Sequence, residues 1–183
     1  MVKVIKEDFD GRVLLINNLI HKDKRGYFFE GYNKSDFDKK IKKINFVQDN
    51  YSFSKYKYTI RGLHFQKKPF GQKKLITVLK GKIMDVVLDI NPKSKYFGRH
   101  KIYILDSKKP YMLLVNDDFA HGFCTLEDDT IVLYKCTNYR DAKSELGMIW
   151  NDPKLKIKWP VKKPIISKKD RQNYNFDEFI KLL

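Results

Sequence analysis

Two histidines stand out because each lies beside a glycine in an apolar, strand-like segment. His64 belongs to Arg61–Gln66 (RGLHFQ), and His121 belongs to Phe119–Phe123 (FAHGF). A neutral imidazole in a mainly apolar pocket can act as a general base when a second group orients its other nitrogen. Taken singly, each is more often a structural histidine, so a role in proton transfer needs support from other residues.

The sequence lacks the motifs that several other chemistries require. Neither histidine is part of an H-x-H pair with a nearby glutamate, so we expect no catalytic metal. Cys124 and Cys136 lie in apolar runs without C-x-x-C or Cys/His spacing, which predicts two reduced, buried thiols. The absence of a G-x-S-x-G elbow and of a glycine-rich phosphate loop argues against serine hydrolases and against dinucleotide-binding or P-loop folds.

Short strands are the elements that must position these residues. Gly, Asn, Asp or Pro residues separate eight runs rich in β-branched and aromatic residues. The runs are Val13–Ile20, Phe46–Phe53, Tyr58–Phe65, Leu75–Leu79, Ile83–Ile90, Lys101–Leu105, Tyr111–Val115 and Ile131–Thr137. Helical periodicity is confined to about Lys34–Ile44 and to the last residues, where Asn175 or Asp177 is expected to cap a short helix through Leu182. We therefore predict an all-β fold, an antiparallel barrel with a few short helices.

Side-chain alternation predicts which faces of two strands differ. In Ile83–Ile90 the even positions are all apolar, whereas the odd positions include Asp85 and Asp89. In Phe46–Phe53, the three uncharged polar residues Gln48, Asn50 and Ser52 share one face. Such a polar row is typical of a strand that faces a ligand cavity inside a small barrel.

The segment around Gly81 predicts a hairpin. The glycine separates the runs that end at Leu79 and begin at Ile83, and glycine tolerates the positive φ that a tight turn needs. We therefore expect the strands on either side of Gly81 to pair with each other.

The composition indicates one domain that spans residues 1–183, because this length can close one sizeable core. We find no apolar leader and no stretch long enough for a membrane span, so we expect a cytoplasmic protein without a membrane partner.

The formal charge of +16 would suit a polyanion as a partner. The lysines are scattered in pairs along the chain, however, which favours a solvated surface over a nucleic-acid partner. A basic nucleic-acid-binding barrel is kept as an alternative.

Six motifs occur in an order that makes the sequence recognisable. They are Asp23–Glu30 (DKRGYFFE), Phe46–Asn50 (FVQDN), Arg61–Gln66 (RGLHFQ), Gln72–Leu75 (QKKL), Phe119–Phe123 (FAHGF) and Ser167–Asp170 (SKKD). With WNDP at 150–153 and IKWP at 157–160, the chain resembles the dTDP-4-dehydrorhamnose 3,5-epimerase family over about four-fifths of its length. The resemblance implies a cupin-type jelly roll and a homodimer without a cofactor. It also implies inversion at C3 and C5 of a 4-keto-6-deoxy sugar linked to a nucleoside diphosphate, for surface polysaccharides.

The resemblance also implies roles for individual residues. His64 matches the catalytic base, Asp170 the carboxylate that orients the base, and Tyr134 the acid. Lys74 matches a cation near the C4 oxygen of the sugar. Ten further residues match or replace substrate-binding positions: Arg25, Phe28, Glu30, Gln48, Asn50, Arg61, His121, Arg140, Glu145 and Lys169.

Two features of the sequence depart from a simple match. Family members commonly carry two adjacent tyrosines, the second of which lies against the nucleotide base, where this chain has Tyr139 and Arg140. A GDP-linked 4-keto-heptose, inverted at C3 or at both carbons, is therefore an alternative substrate, and a non-catalytic nucleotide-sugar-binding cupin is a further alternative. Arg61 and His64 are three residues apart and would face opposite sides of a regular strand, so we expect a bulge at Gly62.

Overall fold

The computed structural model describes residues 2–182, which form short strands and three short helices. In chain order these are β1 (Lys3–Asp8), β2 (Val13–Asn17), β3 (His21–Asp23), β4 (Gly26–Phe28), α1 (Lys34–Lys40), β5 (Gln48–Ser54), β6 (Ile60–Gln66), β7 (Lys74–Lys80), β8 (Lys82–Asp89), β9 (His100–Asp106), β10 (Tyr111–Val115), β11 (Phe119–Thr125), β12 (Thr130–Cys136), β13 (Glu145–Gly147), α2 (Lys168–Arg171) and α3 (Phe176–Ile180). Each of the eight runs that the sequence predicts as strands forms one, with ends that differ by a few residues. The all-β prediction is confirmed.

The strands form two antiparallel sheets and a separate hairpin. The six-stranded sheet has the order β1, β2, β10, β7, β12 and β5, and the five-stranded sheet has the order β13, β6, β11, β8 and β9. Among the strands of residues 2–182, β3 and β4 pair only with each other. Apart from β1–β2 and β8–β9, neighbouring strands in the two large sheets are not consecutive in sequence, as in a jelly roll, so the sheets bring distant residues to one place.

The main hydrophobic core lies between the two sheets. Ile76 of β7, Leu113 of β10 and Val132 of β12 pack there against Val87 of β8 and Phe123 of β11. This pairing of an inner face from each sheet is the usual way in which a β-sandwich removes apolar surface from water.

The outer face of each sheet is also covered. Phe37 of α1 packs on the six-stranded sheet, and Phe179 of α3 packs on the five-stranded sheet. Strand β8 is therefore buried on both faces, with Met84, Val86 and Leu88 on the outer side, as the alternation in the sequence predicts.

The predicted hairpin at Gly81 is wrong. Strand β7 belongs to the six-stranded sheet and β8 to the five-stranded sheet, so the two strands do not pair with each other. Gly81 has φ +81°, and a Cβ there would lie 2.5 Å from the hydroxyl oxygen of Thr130. The glycine therefore allows a sharp turn from one sheet to the other, and turn chemistry alone does not distinguish this connection from a hairpin.

Among residues 2–182, no helix is long and apolar enough to cross a membrane.

Candidate active site

A cleft of about 740 Å³ is lined by both sheets and by the segment before and within α2. Eight of the fourteen residues that the resemblance assigns to the site line this cleft: Arg61, His64, Lys74, His121, Tyr134, Glu145, Lys169 and Asp170. They come from β6, β7, β11, β12, β13 and α2. The fold therefore collects in one cavity residues that are separated by as many as 109 positions in sequence, from Arg61 to Asp170.

On one wall of the cleft His64 forms a close pair with Asp170. Nε2 of His64 lies 2.6 Å from Oδ1 of Asp170, whose carboxyl group is almost fully buried. Burial opposes ionisation of Asp170, but His64 and the backbone N–H of Gly62 outweigh it and lower the pKa of the carboxyl. An ionised Asp170 accepts from Nε2–H, which leaves the lone pair of His64 on Nδ1.

The first turn of α2 fixes the position of Asp170. The Ser167 side chain caps this helix by accepting a hydrogen bond from the backbone N–H of Asp170, with a donor–acceptor distance of 3.0 Å. The cap sets the direction in which the carboxyl leaves the helix, so that it meets the imidazole on β6.

The bulge expected at Gly62 is confirmed. The register between β6 and β11 shifts between the pairs His121–His64 and Phe123–Arg61. Gly62 has φ +115°, and a Cβ there would lie 2.7 Å from Cα of Gly122 on the neighbouring strand. Because both positions lack a side chain, the strands approach closely, and the shifted register places both Arg61 and His64 on the cleft.

The opposite wall, from the six-stranded sheet, contributes Tyr134 and Lys74. Burial raises the pKa of the Tyr134 phenol, so it is protonated at neutral pH. Burial also lowers the pKa of the Lys74 ammonium group, which has no carboxylate within 4.0 Å among the residues that the structure describes. A phenol and an ammonium group thus face the imidazole across the cleft.

A second histidine–carboxylate pair lies next to the first. Nε2 of His121 is 2.7 Å from Oδ2 of Asp85, which is fully buried on β8. His121 is the direct cross-strand neighbour of His64. The two imidazoles are therefore held side by side, each by its own carboxylate.

Three charged side chains meet at one end of the cleft, and we call them the Glu145 ion-pair cluster. Oε2 of Glu145 accepts from Nε of Arg140 at 2.7 Å, and Oε1 accepts from Nζ of Lys169. Burial opposes ionisation of Glu145, but these two cations outweigh it and lower the pKa of the carboxyl to about 2. Arg140 itself does not line the cleft; it contacts a residue that does.

Gln48 and Asn50 share a face of β5 with Ser52 but lie outside the lining of the cleft. Oε1 of Gln48 accepts from the backbone N–H of Arg140, and Nε2 of Gln48 donates to Oδ1 of Asn50. Asn50 in turn donates to Sγ of Cys136 at 3.5 Å. In this structure the polar row on β5 orients the segment that follows β12, and only Ser52 of the row reaches the cleft.

Arg25, Phe28 and Glu30 do not reach the cleft of their own chain. Arg25 pairs with Asp23 in the exposed β3–β4 hairpin, at 2.6 Å. Phe28 and Glu30 line a different depression, next to α1. These three residues share no lining with the catalytic candidates.

Sequence reasoning missed two residues that support the site. In the sequence, Asp85, the partner of His121, was considered only as a polar position in an apolar strand. A carboxylate in such a strand indicates a buried partner, because buried charges are paired. Ser167 was not singled out, although the S-x-x-D pattern at 167–170 is typical of a helix N-cap.

Among residues 2–182, no group of three or more His, Cys, Asp or Glu side chains is placed to hold a metal ion.

The arrangement suits acid–base chemistry on a ligand held between the two sheets. An imidazole with a free lone pair can take a proton on one side, and a protonated phenol can return one from the other side. A nearby ammonium group can stabilise negative charge that develops on an oxygen between them.

Comparison with known proteins gives a consistent result. The family model described as dTDP-4-dehydrorhamnose 3,5-epimerase matches residues 9–178. The enzyme of that name from Shigella flexneri is 36% identical over 176 residues, which cover 96% of each chain. A Bacillus anthracis dTDP-4-dehydrorhamnose 3,5-epimerase, solved with TDP and PPi bound, is 44% identical with a TM-score of 0.94, over 96% of this chain and 100% of its own.

A second solved relative carries a bound sugar nucleotide. The dTDP-6-deoxy-D-glucose-3,5-epimerase of Legionella pneumophila, in complex with dTDP-4-keto-L-rhamnose, is 33% identical with a TM-score of 0.90, over 97% of this chain and 94% of its own. These likenesses confirm the cupin-like jelly roll that the resemblance implied. By sequence, by fold and by the length that is matched, the chain belongs to the dTDP-4-dehydrorhamnose 3,5-epimerase family.

Proposed function

We propose that this protein epimerises C3 and C5 of dTDP-4-dehydro-6-deoxyglucose, which yields dTDP-4-dehydrorhamnose. The observation that carries the proposal is the position of the His64–Asp170 pair and of Tyr134 on opposite walls of one cleft. Inversion of a carbon requires that a proton leave from one face and return to the other, and this geometry offers a base and an acid on two sides.

The residues suit the chemistry of a carbon next to a ketone. Nδ1 of His64 takes the proton from C3 or C5, and the electron pair of the broken C–H bond moves to the C4 oxygen as an enolate. The Lys74 ammonium group stabilises that oxyanion. Tyr134 then protonates the carbon from the opposite face, and the ketone forms again.

The dTDP-linked hexose is favoured over a GDP-linked heptose. The relatives matched over most of the chain are named for a dTDP sugar, and two of the solved ones hold TDP or a dTDP sugar. Arg140, in place of a second tyrosine, is compatible with either base because guanidinium groups stack on both.

Solvent exchange tests the reaction directly. In deuterated water the wild type should place deuterium at C3 and C5 of the sugar, which NMR resolves carbon by carbon. His64→Ala should abolish this exchange, whereas Tyr134→Phe should slow inversion more than exchange, because it removes the acid and leaves the base. His100→Asn, which changes a histidine outside the cleft, is the matched control. Persistent exchange in His64→Ala would show that another group is the base.

We further propose that the protein acts as a homodimer in which the β3–β4 hairpin of one copy completes the cleft of the other. Phe28 on the hairpin is 67% exposed, and Tyr51, on edge strand β5 at the cleft, is 70% exposed. Because Arg25, Phe28 and Glu30 lie away from their own cleft, substrate binding by these residues requires a second copy.

A further inference from the structure

In the Glu145 ion-pair cluster, one anion serves two cations. Glu145 lies on β13, Arg140 in the segment before it, and Lys169 on α2. The Glu145 side chain is only 17% exposed, whereas the side chains of Arg140 and Lys169 are 55% and 57% exposed. The carboxylate is therefore fixed by its surroundings, and the two long cationic side chains are free to turn toward another anion.

The rest of the cleft presents cations without acidic partners. Arg61 donates to Oγ of Ser54 and to the carbonyl of Phe53, which are both neutral. Within residues 2–182, the acidic residues that line the cleft are Asp170, which contacts His64, and Glu145. Glu145 is thus the carboxylate that neutralises lysine and arginine at the cleft.

We propose that Glu145 is a place-holding anion, which the diphosphate of the nucleotide sugar displaces from Arg140 and Lys169. The inference rests on the proposed function, because it requires a nucleoside diphosphate as the ligand. The two phosphate groups of the diphosphate can bind both cations at the same time, whereas a neutral nucleoside can bind neither. Glu145 then lowers the affinity for the ligand, and this replaces the substrate-binding role that the resemblance implies for it.

The charge-neutral variant Glu145→Gln tests this idea by calorimetric titration with dTDP, pyrophosphate and thymidine. We expect the variant to bind dTDP and pyrophosphate about threefold to tenfold more tightly than the wild type, the range that corresponds to two partly exposed ion pairs. Binding of thymidine should not change. Asp10→Asn is the matched control, because it also removes one negative charge from an ion pair, with Lys95, outside the cleft.

A double-mutant cycle adds a second readout. Arg140→Gln should weaken dTDP binding more in the Glu145→Gln background than in the wild type, because Arg140 is then no longer shared with the carboxylate. Thermal unfolding of each variant verifies that it is folded, and Glu145→Ala, which removes the side chain, should change dTDP affinity in the same direction.

The possible outcomes separate the inference from the function. Weaker dTDP binding by folded Glu145→Gln would overturn the inference, since Glu145 would then support the ligand or its cations, and the proposed function would stand. An equal gain in Asp10→Asn would also overturn it, because overall charge would be the cause. A wild type that binds neither dTDP nor pyrophosphate would instead refute the proposed function.

Discussion

At the scale of single residues, the cleft is organised by carboxylates that act through other side chains. Asp170 holds His64, Asp85 holds His121, and Glu145 holds two cations. Each of these acids is mostly or fully buried and accepts hydrogen bonds. Their removal should therefore affect reactivity and binding through the groups that they orient.

Replacement of Asp170 should disturb the orientation of His64 without changing substrate binding much. Asp170→Asn keeps the size of the side chain. It replaces the carboxylate that accepts a hydrogen bond from Nε2–H of His64 with a neutral amide. We expect kcat to fall by about 100-fold or more, with little change in KM. Asp177→Asn, at an exposed ion pair with Lys154, is the control for loss of a carboxylate in a short helix. A normal kcat in Asp170→Asn would remove the orienting role.

The pKa of Glu145 predicts how stability depends on pH. The folded-state pKa of about 2 is lower than the ordinary value of 4.5. The carboxylate therefore stabilises the fold above the ordinary pKa, and this contribution is lost as the pH falls through the folded-state value. Denaturant unfolding at about pH 6, 4 and 2.5 should show a stability gap between wild type and Glu145→Gln that shrinks toward acid. A gap that grows on acidification would contradict this assignment.

At the scale of elements, the contact between β6 and β11 is the feature that the site depends on. The two antiparallel strands approach closely at Gly62 and Gly122, where the register shifts between Arg61 and His64. The motif RGLHFQ thus combines a guanidinium group and an imidazole that a regular strand would send to opposite faces.

A methyl group at Gly62 should disturb this close approach. Gly62→Ala would place Cβ 2.7 Å from Cα of Gly122 and 2.8 Å from the carbonyl oxygen of His121, at a positive φ. We expect a loss of about 2–4 kcal/mol in the free energy of unfolding, measured by denaturant titration, together with lower kcat. Gly31→Ala, where a Cβ would meet nothing within 4 Å, should be close to neutral.

At the scale of the whole molecule, the two-sheet fold determines what the cleft contains and what it lacks. Both walls come from one chain, but the hairpin that carries Arg25 and Phe28 lies elsewhere. The homodimer, like the single domain over residues 1–183, remains a prediction.

Mixing of two inactive variants tests the dimer. His64→Ala lacks the base, and a hairpin variant with Arg25→Ala and Phe28→Ala should bind substrate poorly. If the hairpin acts on the partner's cleft, a mixed dimer contains one intact cleft, and co-refolded samples should regain up to about a quarter of wild-type activity. Sedimentation should show two chains per particle. No recovery in a sample that sediments as a dimer would place the hairpin's role within its own chain or outside catalysis.

The class of fold follows from the sequence alone, because alternation and turn residues located eight strands. Local patterns suffice for this, since strand formation depends on neighbours in sequence. The pairing of His64 with Asp170 was implied by the family resemblance that motifs such as RGLHFQ and SKKD carry.

Strand pairing and the contacts between distant residues follow from the tertiary structure. It overturned the hairpin at Gly81, and it leaves Gln48, Asn50, Arg25, Phe28 and Glu30 outside the cleft lining. These outcomes depend on which sheet a strand joins and on how the sheets pack. Both are set by contacts between residues far apart in the chain, which no local pattern records.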